Sequence, residues 1–161
     1  MQPILVITTG GTIDKVYFDA KSDFEVGDSV VGDLLQQANV DQSFEVLGLL
    51  RKDSLELTDE DRALIRDTAT ARPERRIVVT HGTDTMTETA KVLSVLEGKT
   101  IVLTGSLAPA RFAQSDATFN VGMAFAAVQT LAAGVYIVMN GQVFEAGQVR
   151  KDRTKNVFVR C

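Results

Sequence analysis

The stretch Ile4-Leu5-Val6-Ile7-Thr8-Thr9-Gly10-Gly11-Thr12-Ile13 decides the fold. Four apolar residues run without a polar break and then meet two glycines. Such a run has no helical period, and it reads as a strand covered on both faces. The paired glycines predict a sharp turn after it, with Thr12 just beyond the strand's carboxyl end. In open α/β sheets that edge is where ligands bind.

Four later runs repeat the pattern at residues 44–50, 76–80, 100–104 and 135–139, all rich in Val, Ile and Leu. Helical patterns fill the gaps. Thr58 with Asp61 predicts a capping box opening a helix over 59–71, and Thr85 with Glu88 predicts a second, closed by Gly98. Asp116 opens a long apolar helix over 117–133 that ends at Gly134, and a shorter one covers 30–38. The order β-α-β-α-β-α-β-α-β predicts an α/β fold of one domain over residues 1–161, a doubly wound, mostly parallel sheet with helices on both faces.

Two stretches leave this rhythm. Residues 14–28 read as a polar loop with embedded aromatics, Tyr17, Phe18 and Phe24, placed to act as a lid. Asn140-Gly141 is a hairpin signal that predicts an antiparallel strand over 142–144. A basic segment follows with Arg150, Lys151, Arg153 and Lys155, then a strand-like tail over 156–160.

The 161 residues are 45% hydrophobic and 24% charged with a net charge of −4, an ordinary globular balance that argues against nucleic acid or an anionic membrane as partner. The one cysteine, Cys161, leaves no internal disulfide and no thiolate metal cluster. No run approaches a membrane span, and Met1-Gln2-Pro3 leads into the first strand without a signal peptide's flanks. The expected location is cytoplasmic.

A second threonine turn, His81-Gly82-Thr83-Asp84-Thr85, follows the run at 76–80. Two hydroxyls, Thr12 and Thr83, and the carboxylate of Asp84 are therefore expected near one sheet edge. Lys151 could complete a relay with them, and Tyr17, five residues past Thr12, could close over it. A threonine hydroxyl needs such a base or cation to become a nucleophile. Each turn taken singly is equally an ordinary turn, with Asp84 or Thr85 as a helix cap. His81, the only histidine, has no second ligand at metal spacing and reads as a structural residue.

Together these residues resemble the bacterial-type L-asparaginase family. Its two signatures stand here as Thr9-Gly10-Gly11-Thr12-Ile13 and His81-Gly82-Thr83-Asp84-Thr85-Met86, in the family's order. The likeness continues through Thr104-Gly105-Ser106, Ser115-Asp116, Phe119-Asn120 and Val138-Met139-Asn140. It implies hydrolysis of the side-chain amide of L-asparagine through a threonine acyl-enzyme, with no metal or organic cofactor. Thr12 matches the attacking residue, and Thr83, Asp84 and Lys151 match the proton relay, with Thr83 as a second candidate nucleophile. Ser54 matches the residue that holds the substrate α-carboxylate, and Asp84 the one that holds its α-amino group. Backbone N–H groups of Gly11 and Thr83 are implied as the oxyanion site.

The sequence departs from the family at three places. Phe24 stands in the lid segment where the family carries its catalytic tyrosine, which moves that role to Tyr17. Leu55 stands where a glutamine usually follows the binding serine. The chain stops near the end of the family's first domain, so it resembles the short-chain form. That form implies a homo-oligomer, dimer or tetramer, and weaker substrate binding. A glutaminase, the amidase subunit of a tRNA-dependent amidotransferase and a non-catalytic amino-acid-binding module are the other readings. The chain lacks the basic face that tRNA would need.

Overall fold

The computed structural model describes residues 2–161. In chain order the elements are β1 (Ile4–Gly10), β2 (Lys15–Phe18), β3 (Asp23–Val26), α1 (Val31–Gln37), β4 (Phe44–Lys52), α2 (Asp59–Ala71), β5 (Arg76–Thr80), α3 (Met86–Leu93), β6 (Thr100–Thr104), α4 (Ala117–Thr130), β7 (Gly134–Met139), β8 (Gln142–Glu145), β9 (Val149–Asp152) and β10 (Val157–Arg160). Six of the strands form one sheet in the order β4-β1-β5-β6-β7-β8, parallel except for the last pair.

All seven residues of β1 are buried, as its unbroken apolar run requires of a strand covered on both faces. Leu5 and Ile7 face a core closed by Ile65 and Ala69 of α2 and by Met86, Ala90 and Leu93 of α3. Ile4 and Val6 face the opposite core, closed by Val31 and Leu35 of α1 and by Val121, Ala124 and Val128 of α4. The sheet is doubly wound, with two helices on each face.

The carboxyl-terminal strands place one residue of the site. Asn140 and Gly141 both adopt positive φ (53° and 69°), the left-handed pair that turns β7 into antiparallel β8. Asn140 then accepts the Phe158 N–H at 2.8 Å, and the Phe158 ring is fully buried in the core. That anchors β10, and through it β9, the strand that carries Lys151.

Several sequence expectations change. Residues 14–28 are not irregular: β2 and β3 pair as an antiparallel hairpin, turned by Ser22 at a left-handed φ of 49°. The capping box at Thr58–Asp61 forms, but the one at Thr85–Glu88 does not. Thr85 instead donates its hydroxyl to Ser54 O at 2.8 Å, tying α3 to a neighbouring turn. α3 ends at Leu93, short of Gly98, and α4 ends at Thr130, short of Gly134, which opens β7. Asp116 begins α4, but its carboxylate is turned away to accept the Leu107 and Ala108 N–H groups. The strand within the basic segment, β9, has no signal in the sequence.

Candidate active site

The chain leaves β1 for β4 on one side and returns to β5 on the other, so the crossovers part between β1 and β5. A crevice opens at such a switch point, at the carboxyl ends of the strands. Thr12 follows β1 and Thr83 follows β5, so both threonine turns stand at that edge of the sheet.

Absent side chains bring the turns together. Gly11 has φ of 88°, and a Cβ there would lie 2.5 Å from the Gly82 Cα. A Cβ on Gly82 would lie 2.5 Å from the Ser54 Cβ, in the turn after β4. The turns of three neighbouring strands therefore touch along Gly11, Gly82 and Ser54, with room for hydrogen alone at the two glycines.

Lys151 joins this group from β9. Its ammonium donates to Thr83 Oγ1 at 2.8 Å and to Asp84 Oδ1 at 2.9 Å, with the side chain 12% exposed. Arg153 adds a second cation, donating to Asp84 O at 3.4 Å with Nε 3.8 Å from Oδ1. Ser54 is 1% exposed and its Oγ accepts the Asp84 N–H at 3.2 Å. That leaves the serine's own proton free to donate.

His81 is fully buried. A carbonyl can only accept, so Nδ1 carries the proton and donates to Gly82 O at 2.6 Å, while Nε2 accepts from the Thr89 hydroxyl at 2.7 Å. Burial pushes its pKa down to about 4, despite the Gly82 carbonyl. Because a trans peptide points its C=O and N–H in opposite directions, pinning Gly82 O also aims the Thr83 N–H.

One expectation is corrected here. The Gly11 N–H donates to Lys52 O at 2.9 Å and is not free for an oxyanion. The N–H groups of Thr12 and Thr83 have no protein partner among the described residues. They are the donors this crevice offers.

Tyr17 lies in β2 directly opposite Phe24, their rings 5.2 Å apart, and is 49% exposed. Strand alternation puts Tyr17 on the same face of the hairpin as Lys15. Lys15 reaches Asp53 at 3.2 Å, next to Ser54, while the contact that Tyr17 itself makes is with Phe24. Burial opposes the charge on Asp53, but the Leu55 N–H and the ammonium groups of Lys15 and Lys151 outweigh it. They hold its carboxyl below the usual carboxylate range. The sequence reading does not single out Lys15 or Asp53, and it names Arg153 only as part of the basic segment. Lys15 alone had a usable signal, its two-residue spacing from Tyr17.

The family profile "Asparaginase, N-terminal" matches residues 3–158. The chain belongs to the asparaginase family. It is 30% identical over 166 residues to the glutaminase-asparaginase of Acinetobacter glutaminasificans, a match covering 92% of this chain and 49% of that protein. The thermostable L-asparaginase from Thermococcus kodakarensis superposes with a TM-score of 0.84 at 26% identity, over 99% of this chain and 51% of that one. L-asparaginase I from Vibrio cholerae gives 0.84 and 26%, over 99% and 52%. The asparaginase-family chain thus spans about half the length of the relatives it matches. Leu55 and Phe24, the residues at two departures from the family pattern, are both exposed. No helix among the described residues is long and apolar enough to cross a membrane.

Proposed function

We propose that this asparaginase-family domain hydrolyses the side-chain amide of L-asparagine to L-aspartate and ammonia. The observation that carries the reading is Lys151, whose ammonium bridges Thr83 Oγ1 and Asp84 Oδ1 beside the Gly11–Gly82 contact. An ion pair serving stability alone would not need a threonine hydroxyl as a third member.

In the proposed reaction Thr12 Oγ attacks the amide carbon. The C–O bond forms, the C–N bond breaks, and ammonia leaves with the proton that Thr12 gave up. The carbonyl oxygen turns negative between the N–H groups of Thr12 and Thr83, donors fixed before the reaction begins. Water then attacks the ester carbon and passes its proton by way of the Thr83 hydroxyl to Thr12 Oγ as the acyl C–O bond breaks, while Lys151, held by Asp84, fixes the Thr83 hydroxyl. Ser54 donates to the substrate α-carboxylate and Asp84 accepts from its α-amino group. Tyr17, on the same face of the hairpin as Lys15, assists the first proton transfer. The scheme uses no metal or organic cofactor. A homo-oligomer, dimer or tetramer, in the cytoplasm belongs to the same proposal.

Ammonia release from L-asparagine and from L-glutamine, by the unaltered chain and by Thr12→Ala, tests it. We expect turnover on asparagine and a fall of about 10³-fold or more in the variant. Faster release from glutamine reassigns the substrate. Equal release by Thr12→Ala removes that residue from the nucleophile's role.

A further inference from the structure

Three consecutive residues of the loop between β6 and α4 grip the β2–β3 hairpin. The Ala110 N–H donates to Ile13 O at 3.1 Å. Arg111 sets Nη1 on Asp14 O at 3.0 Å and Nη2 on Asp28 O at 2.8 Å. The Phe112 ring stands edge-on to Phe24 at 5.7 Å, and Phe24 faces Tyr17. The carbonyls that Arg111 spans belong to the two ends of the hairpin, where the Gly27 N–H also donates to Asp14 O at 2.9 Å. The hairpin therefore has a neck, and Arg111 clamps it.

The clamp stands on firm ground. Asp116 accepts the Leu107 and Ala108 N–H groups, and the Ser106 and Ser115 hydroxyls both donate to Ala108 O. Asn120, buried in α4, donates to Asp116 and to Gly105 O. The loop is thus fixed to α4 and to the end of β6, both parts of the rigid sheet assembly.

We infer that Arg111 is a positioning residue: it holds the hairpin's neck so that Lys15 and Tyr17 are presented to the crevice beside Thr12. The inference rests on the amide-hydrolysis reading. A guanidinium fits because its planar fork offers two N–H donors to two separate carbonyls, where an ammonium acts as a point charge. Its two acceptors are neutral, and the Asp28 carboxylate already pairs with Arg51 at 2.7 Å. Ion pairing with that carboxylate is therefore not what holds Arg111 in place.

Two readouts on Arg111→Gln and Arg111→Ala test this, alongside thermal melting. Trypsin can cut after Lys21 at the exposed hairpin tip, and cleavage mapped by mass reports the hairpin without reference to activity. We expect Arg111→Gln to speed that cut about 10-fold and to lower kcat on L-asparagine about 10–100-fold. KM should move by less than about 3-fold, and melting should stay near the parent's. Millimolar guanidinium, but not methylammonium, should restore both readouts in Arg111→Ala. An unchanged cutting rate overturns the inference, and so does faster cutting with full turnover. An unaltered chain that releases no ammonia sinks the preceding proposal instead, and the cutting rate still decides whether Arg111 clamps the neck.

Discussion

Gly11 and Gly82 let the two threonine turns meet, because each faces backbone or Cβ atoms where a side chain would begin. Adding one methyl at Gly11 combines a left-handed φ with a 2.5 Å approach to Gly82. Gly11→Ala is therefore expected to destabilise the domain by about 2–4 kcal/mol, read from urea unfolding. It should also push the threonine turns apart and lower turnover about 100-fold or more, read from ammonia release. Wild-type activity in that variant would mean that Thr12 and Thr83 need not sit against each other. Both glycines were conspicuous in the sequence as members of the two signatures. What a sequence cannot display is that one glycine packs on the other across about seventy residues of chain.

At the scale of elements, the legible parts were those with a long periodic or unbroken pattern. β1, β5, β6 and β7 were read within a residue or two because continuous branched runs allow few alternatives. The hairpin of β2 and β3 was read as a loop, since each strand has four residues and the turn is made by Ser22 rather than glycine. β9 was missed for a related reason. Its sequence, Val149-Arg150-Lys151-Asp152, is polar, and it exists because Phe158 on its partner strand is driven into the core. The Thr85–Glu88 pair misled because a capping box competes with tertiary partners, and the Ser54 carbonyl won the hydroxyl. The clamp at Arg111 had no local signal, because its acceptors, Asp14 O and Asp28 O, lie more than eighty residues away in the chain.

For the whole molecule, two buried groups set opposing pH slopes. Burial raises the Asp14 carboxyl from 3.8 to about 6, against the pull of Ser29, the Val30 N–H and Arg111. The folded state then binds that proton more tightly than the unfolded chain. Its contribution is fullest below 3.8 and is lost as pH rises through about 6. His81 runs the other way, its pKa lowered by burial from 6.5 to about 4, so stability is lost as pH falls through that window. Each contributes about 1–3 kcal/mol, so between pH 4 and 6.5 the parent's slope is partly cancelled. Asp14→Asn removes one side of the balance. Urea unfolding at several pH values should show the variant losing stability on acidification more steeply than the parent. Parallel curves would contradict the assignment.

Whether Thr12 is the nucleophile of one crevice shared by the two threonine turns is settled by trapping the acyl group. The chain is mixed with L-asparagine and quenched in acid within milliseconds, and the peptides are mapped by mass, with Lys151→Met run beside it to slow release. One aspartyl group esterified to Thr12 is expected, accumulating further in the variant. An aspartyl group on Thr83 with Thr12 unmodified, or no acylated peptide while ammonia is released, would contradict it.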